Sequence, residues 1–151
     1  LLFGFLGGIT GVIFGTEQFS IIRHNTLAIT GHFHGTVVAG TTMAFMGFTY
    51  LLIPYIFKRD IIWKGLATIQ PWLYGLGVAM LSIGMMSAGS FGVPRRHYDI
   101  TFSGAPFSFT FDPAIDIFMS MMGIGGVLAV IAGVLYILIG FGSMFFGKEV
   151  E

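Results

Sequence analysis

The stretch TGHFHGTVVAGTTMAFMGFTYLLIPYIF, running from Thr30 to Phe57, contains no Asp, Glu, Lys or Arg. At about 1.5 Å of rise per residue it exceeds the roughly 30 Å hydrocarbon core of a bilayer, so it reads as a transmembrane helix. Two histidines stand at its head, His32 and His34, with Phe33 between them. On an α-helix, residues two apart point about 200° from one another. One metal ion cannot be chelated by both without breaking the helix, whereas two metals, one on each flank, can be.

Working outward, three further apolar stretches appear: residues 1–15, about 63–91 and about 114–146. The last two are long enough to span a bilayer with some tilt. The first covers only roughly 22 Å at about 1.5 Å per residue. It has no basic leader and no small-residue cleavage site, so it is not a secretory signal. Leu1 is therefore expected inside a helix whose beginning is missing, making the chain a fragment or one piece of a larger subunit. Asp112-Pro113 before Ala114 predicts a helix start, with Asp as cap and Pro in the first turn. The expected architecture is an all-α, polytopic transmembrane bundle of about four helices.

Composition agrees. Apolar residues make up 55% of the 151 and charged residues only 9%, against about 25% charged in an ordinary soluble domain. Net charge is zero, which gives no reason to expect nucleic acid as a partner. There is no cysteine, which excludes disulfides, thiolate metal sites and cysteine nucleophiles. The 23 glycines allow helices, or a flat cofactor and a helix, to approach closely. Lys58, Arg59, Lys64 and Lys148 fall on one side of the membrane, and Arg23, Arg95 and Arg96 on the other. If the arginines neutralise buried anions, the lysine side is cytoplasmic, and the histidines share the outer half with the Arg95-Arg96 loop.

His24, His32 and His34 lie within eleven residues. Unprotonated imidazole is a common ligand for haem iron, and an ionisable residue inside a membrane is a functional candidate by default. The same spacing is also met by histidines hydrogen-bonded at a helix interface or touching lipid head groups.

Three motifs carry a family resemblance. His24-Asn25-Thr26 followed by Gly31-His32-Phe33-His34 resembles the end of helix nine and the start of helix ten in subunit I of the haem–copper oxidases. Gly92-Val93-Pro94-Arg95-Arg96 resembles that family's G-x-P-R-R turn between helices eleven and twelve. The run from Gly4 to Val12 is similar to its glycine-rich end of helix nine. Order and spacing agree, and the resemblance covers nearly the whole chain. It implies that residues 1–151 are the C-terminal part, helices nine to twelve, of a twelve-helix subunit.

The resemblance implies roles residue by residue. His32 becomes the axial ligand of a high-spin haem where oxygen is reduced, and His34 one of two axial ligands of a low-spin haem. Arg95 and Arg96 hold haem propionates, for which planar, bidentate guanidinium donors are suited. His24 lies in the polar region above the haems without ligating iron. Phe33 stands near both haem edges, or simply packs. Asn25 replaces the magnesium-binding Asp of the mitochondrial-like members, so H-N-T resembles the B-type branch and no magnesium is expected there. Two departures stand out: Ser20 where the family usually has an acid, and Arg23 where an apolar residue is common. His97 has no assigned role.

Implied further are oxygen reduction to water with proton translocation, in a bacterial or archaeal cytoplasmic membrane. The copper ligands and the second low-spin haem ligand lie upstream, outside this chain. Expected partners are the remainder of subunit I, a copper-bearing subunit II, and an electron donor that is a cytochrome c, a cupredoxin or a quinol. Three rival readings stay open: a nitric oxide reductase of the same superfamily, whose histidine pair is usually His-Gly-His, a proton-coupled transporter that binds no haem, and a structural accessory subunit in which no histidine touches metal.

Overall fold

The computed structural model describes residues 2–107 and 109–150. Leu1, on which the expectation of a truncated helix rests, lies outside them. The chain is an all-α membrane bundle with no sheet among the described residues. Helix α1 is a π-helical stretch, Phe3–Ile9, that passes into an α-helical segment, Thr10–Phe14. It is bent by 100° from α2, Glu17–Arg23. Helix α3 runs from Leu27 to Phe57, α4 is Lys64–Ser90 and α5 is Ala114–Phe146. Three of these helices are long and apolar enough to cross a membrane, or four if the bent pair counts as one span.

Two features were not visible in the hydropathy pattern. The connection expected over Thr16–Ile29 contains α2, and α3 begins at Leu27 rather than near Thr30. The earlier start has a local cause: the Thr26 hydroxyl accepts from the Ala28 amide and donates to the Arg23 carbonyl, closing the helix N-terminus. The middle of α3, His34–Thr42, is π-helical. Its Thr42 hydroxyl donates to the Val37 carbonyl, five residues back. This widened stretch packs beside the one in α1, with Gly7 lying over Thr36.

Helices α3 and α4 meet backbone to backbone. A Cβ on Gly89 would collide with the Ala28 main chain, and one on Gly31 would fall 2.7 Å from Met86 N and 2.8 Å from Ser82 O. Only glycine fits at these two crossings, the membrane pattern in which small residues let helices touch. Toward the other end the seam is polar. Gln70, fully buried, accepts from the Tyr50 hydroxyl at 3.1 Å and donates to Ala132 O at 3.1 Å, while the Tyr136 hydroxyl donates to Thr49 at 2.8 Å. These bonds join α3, α4 and α5 where lipid offers polar groups no partner.

Both ends are stitched. On the histidine side, Leu27 N donates to Val93 O at 2.9 Å and Arg95 N to Asn25 O at 3.0 Å. On the other, Asp60 N donates to Lys148 O and Val150 N to Lys58 O, both at 2.8 Å, and Arg59 pairs with Glu149 at 3.6 Å. These pairings put Arg95 with Asn25 at one end of the bundle and Lys58, Arg59 and Lys148 together at the other. Asp112 caps α5 by accepting from Ala114 N at 2.8 Å.

The Gly89 crossing generates a measurable contrast. Gly89→Ala overpacks a backbone contact and is expected to cost about 1–3 kcal/mol, seen as a lower thermal midpoint in detergent. Gly123→Ala, with open space around its Cβ position, is expected to leave the midpoint unchanged; equal effects of the two would refute the tight crossing.

Candidate functional site

The head of α3 positions the histidines around a glycine strip. Gly31 and Gly35 are buried. Gly31 sits against α4, and its carbonyl accepts from the buried Ser82 hydroxyl at 2.5 Å. His32 and His34 flank this strip. The His32 ring turns toward α1, edge-on to Phe14 at 5.4 Å and over Gly11, where a Cβ would stand 3.3 Å from His32 Cε1. His34 instead hydrogen-bonds within its own helix, 2.8 Å from the Thr30 carbonyl. Phe33, between them, is 58% exposed.

Hydrogen bonding fixes where each imidazole keeps its proton. A carbonyl oxygen only accepts, so His34 Nδ1 carries the hydrogen and Nε2 keeps a lone pair. For His32 the partner is the Thr10 hydroxyl, 2.7 Å from Nδ1. That hydroxyl also faces the Leu6 and Gly7 carbonyls of its own helix, which accept its single proton. It therefore receives the proton of His32 Nδ1, and Nε2 is again the free ligand atom. Both histidines have the arrangement typical of metal-ligating imidazoles, one ring nitrogen donating to an oxygen and the other available.

The outer loops bring Asn25 and Arg95 together. Asn25 has a left-handed backbone, φ 60°, which Asn tolerates better than most residues. Its side-chain oxygen accepts from Arg95 Nη2 at 2.8 Å. Arg95 Nε is buried with no hydrogen-bond partner among the described residues. A buried guanidinium N–H without an acceptor is costly, and an anionic oxygen arriving from outside this chain would satisfy it. Arg96 and His24 are exposed nearby. His97 packs on Phe102 at 4.8 Å. The Asp99 carboxyl is held down at about 2 by the Ser103 and Thr101 hydroxyls and amides that donate to it, so it stays anionic across the physiological range. Arg23 lies over Phe14 and Phe19, at 5.8 and 5.2 Å.

No group of three or more His, Cys, Asp or Glu among the described residues can hold a metal ion. That bears on a cage built wholly of side chains. A haem brings its own equatorial nitrogens and asks the protein for an axial imidazole. Two separated histidines, each with a free Nε2, and an orphaned arginine N–H fit that demand. Thr10, although inside the Gly4–Val12 run, and Ser82 have no role legible in the sequence: a threonine 22 residues from its histidine and a serine within an apolar helix leave no local spacing signal.

Comparison with known proteins gives the family. The sequence model of the family described as Cytochrome C and Quinol oxidase polypeptide I matches residues 1–146. A cytochrome c oxidase subunit 1 from Thermus thermophilus is 34% identical over 100 residues, which is 64% of this chain and 18% of that relative. One from Debaryomyces hansenii is 27% identical over 125 residues, 82% of this chain and 23% of the relative. A cryo-EM structure described as a heme-copper terminal oxidase dimer superposes with a TM-score of 0.82 at 28% identity, over 97% of this chain and 25% of that one. The chain thus spans about a quarter or less of the length of these relatives.

Asn25 supplies both a turn and an acceptor, and two variants separate them. Asn25→Gly keeps the left-handed turn and frees Arg95, whereas Asn25→Val loses both. The valine variant is expected to be less stable than the glycine variant by about 1–2 kcal/mol of backbone strain, read from thermal midpoints in detergent. Equal midpoints would argue against strain at this turn.

Proposed function

Because the chain belongs to the cytochrome c and quinol oxidase polypeptide I family, we propose that it forms the C-terminal, haem-ligating part of the membrane subunit of a terminal oxidase that reduces oxygen to water with proton translocation. It is an integral membrane protein whose apolar spans suit an inner membrane, and a bacterial or archaeal cytoplasmic membrane is the proposed location. The activity belongs to the assembled complex: the rest of subunit I supplies the copper ligands and the second low-spin ligand, a copper-bearing subunit II completes it, and a cytochrome c, cupredoxin or quinol donates electrons.

The observation that carries this reading is the matched hydrogen bonding of His32 and His34, each with Nδ1 against an oxygen, at 2.7 and 2.8 Å, beside the Gly31–Gly35 strip. His32 would hold the iron of the high-spin haem and His34 that of the low-spin haem. When bound, the haems supply the electron transfer and oxygen chemistry, and the protein supplies ligands, burial and charge. Arg95 would hold a propionate through its buried Nε, and the exposed Arg96 would take a second. His24 lies beside them, in the polar layer through which protons leave. Phe33 fills the space between the two ligands.

Asn25 supports assignment to the B-type branch. Its side-chain oxygen is engaged by Arg95, and a neutral amide is a weaker ligand than carboxylate for a hard cation. We assign no magnesium to this position.

Ligand replacement in the whole complex tests the reading. His34→Ala is expected to abolish the low-spin haem absorption while sparing the high-spin signal, and His32→Ala to remove carbon monoxide binding at the high-spin haem. Reduced-minus-oxidised spectra report both. Two haems retained at full occupancy in either variant would sink the assignment of that histidine.

A further inference from the structure

Thr10 lies inside the Gly4–Val12 run but carries no role there, yet it makes the hydrogen bond that orients His32. Its Oγ1 lies 2.7 Å from His32 Nδ1 and 3.2 Å from Gly7 O, and it also bonds Leu6 O. A hydroxyl has one proton and two lone pairs. The carbonyls take the proton, so the imidazole receives a lone pair. A hydroxyl already donating to a carbonyl is polarised into a better acceptor, because bonds in such a chain strengthen one another.

The backbone sets this contact. Thr10 is the residue at which the π-helical stretch of α1 returns to α geometry, and its amide donates to Gly7 O. His32 lies two residues before the π-helical stretch of α3 begins. Two departures from regular helix thus bracket one side-chain contact, and such departures are frequent at functional sites. The ring is confined on other sides as well: Phe14 stands edge-on at 5.4 Å and Phe33 tilts against it at 5.8 Å. Aromatic edges restrict the ring plane but accept no proton from Nδ1. Thr10 alone among these neighbours sets which nitrogen is protonated.

We infer that Thr10 is a positioning residue for His32, its hydroxyl fixing the tautomer and ring orientation of the imidazole and raising the electron density that Nε2 offers to iron. The inference rests on the reading of His32 as a haem ligand. The partner on the far nitrogen of a ligating histidine controls both orientation and basicity. A more basic imidazole favours the oxidised iron, so removing the acceptor shifts the equilibrium toward the reduced state. His34 takes its acceptor from a main-chain carbonyl, which no side-chain substitution can delete. Of the two ligands, His32 is the one tuned by a replaceable group.

Three variants of the complete oxidase complex separate this role from packing. Thr10→Val keeps shape and loses the hydroxyl, Thr10→Ala loses the hydroxyl without branching, and Thr10→Ser restores it. In Val and Ala the expected result is retained haem, a lower iron–imidazole stretching frequency in the resonance Raman spectrum of the reduced high-spin haem, and a rise in its midpoint potential. A tenfold change in the one-electron equilibrium reads as about 59 mV. Ser is expected to match the parent in both. Absence of haem bands from the parent complex would reject the ligand reading itself. A haem-loaded parent whose Val and Ala variants keep its stretching frequency and potential, or whose Ser variant shifts as far as they do, would overturn the role of Thr10.

Discussion

The contact on which the rest depends is the backbone crossing of α3 and α4. A helix that carries imidazoles on two flanks can be gripped only by the strip between them. Here that strip is Gly31 and Gly35, with Ser82 bonding the Gly31 carbonyl and Gly89 meeting Ala28 one crossing further out. In lipid there is no hydrophobic force to drive two apolar helices together, so van der Waals contact and buried hydrogen bonds must hold them. A bulkier residue in the strip would prise α3 away from α4 and turn both histidines with it. The glycines therefore act on the site without touching its chemistry.

The charged groups follow a different logic. Arg95 is tethered by main-chain and side-chain bonds to Asn25, so its position is set by the histidine-bearing segment itself. The loop that carries Arg95 is thereby fixed before any anion arrives. At the opposite face, Arg59, Asp60, Lys64 and Glu149 make ion pairs at the protein surface, where screening keeps each contribution small. Arg59–Glu149 fastens the tail to the α3–α4 turn together with the two main-chain bonds, and Asp60–Lys64 closes the turn on itself.

Much of this was legible in the sequence for physical reasons. Long stretches with almost no charge admit few alternatives to membrane helices, and the His32–His34 spacing fixes opposed directions once a helix is granted. Arg95 and Arg96 announced an anion partner. What stayed hidden needed contacts between distant residues. Thr10 meets His32 across two helices, and Gln70 meets Tyr50 and Ala132. No periodicity encodes such pairs. Helix α2 was missed because seven residues bearing Glu17 and Arg23 look like a connection, and the start of α3 because a threonine cap outweighed the apolar boundary. The π-helical stretches have no compositional mark distinguishing them from α-helix.

The widened stretch of α3 has an effect on phase. Each residue of an α-helix advances about 100° around the axis, so the angular offset between His32 near one end and Tyr50 near the other depends on how the intervening turns are wound. His34–Thr42 contributes turns of larger circumference, and with them Tyr50 comes round to face Gln70 while Gly31 still faces Ser82. Were one residue of that stretch deleted, the inner half of the helix would swing by roughly a quarter turn, and a single rod could no longer mesh with its neighbour at both levels. Chain length between the two levels is therefore as strictly constrained as the identity of the residues that meet there.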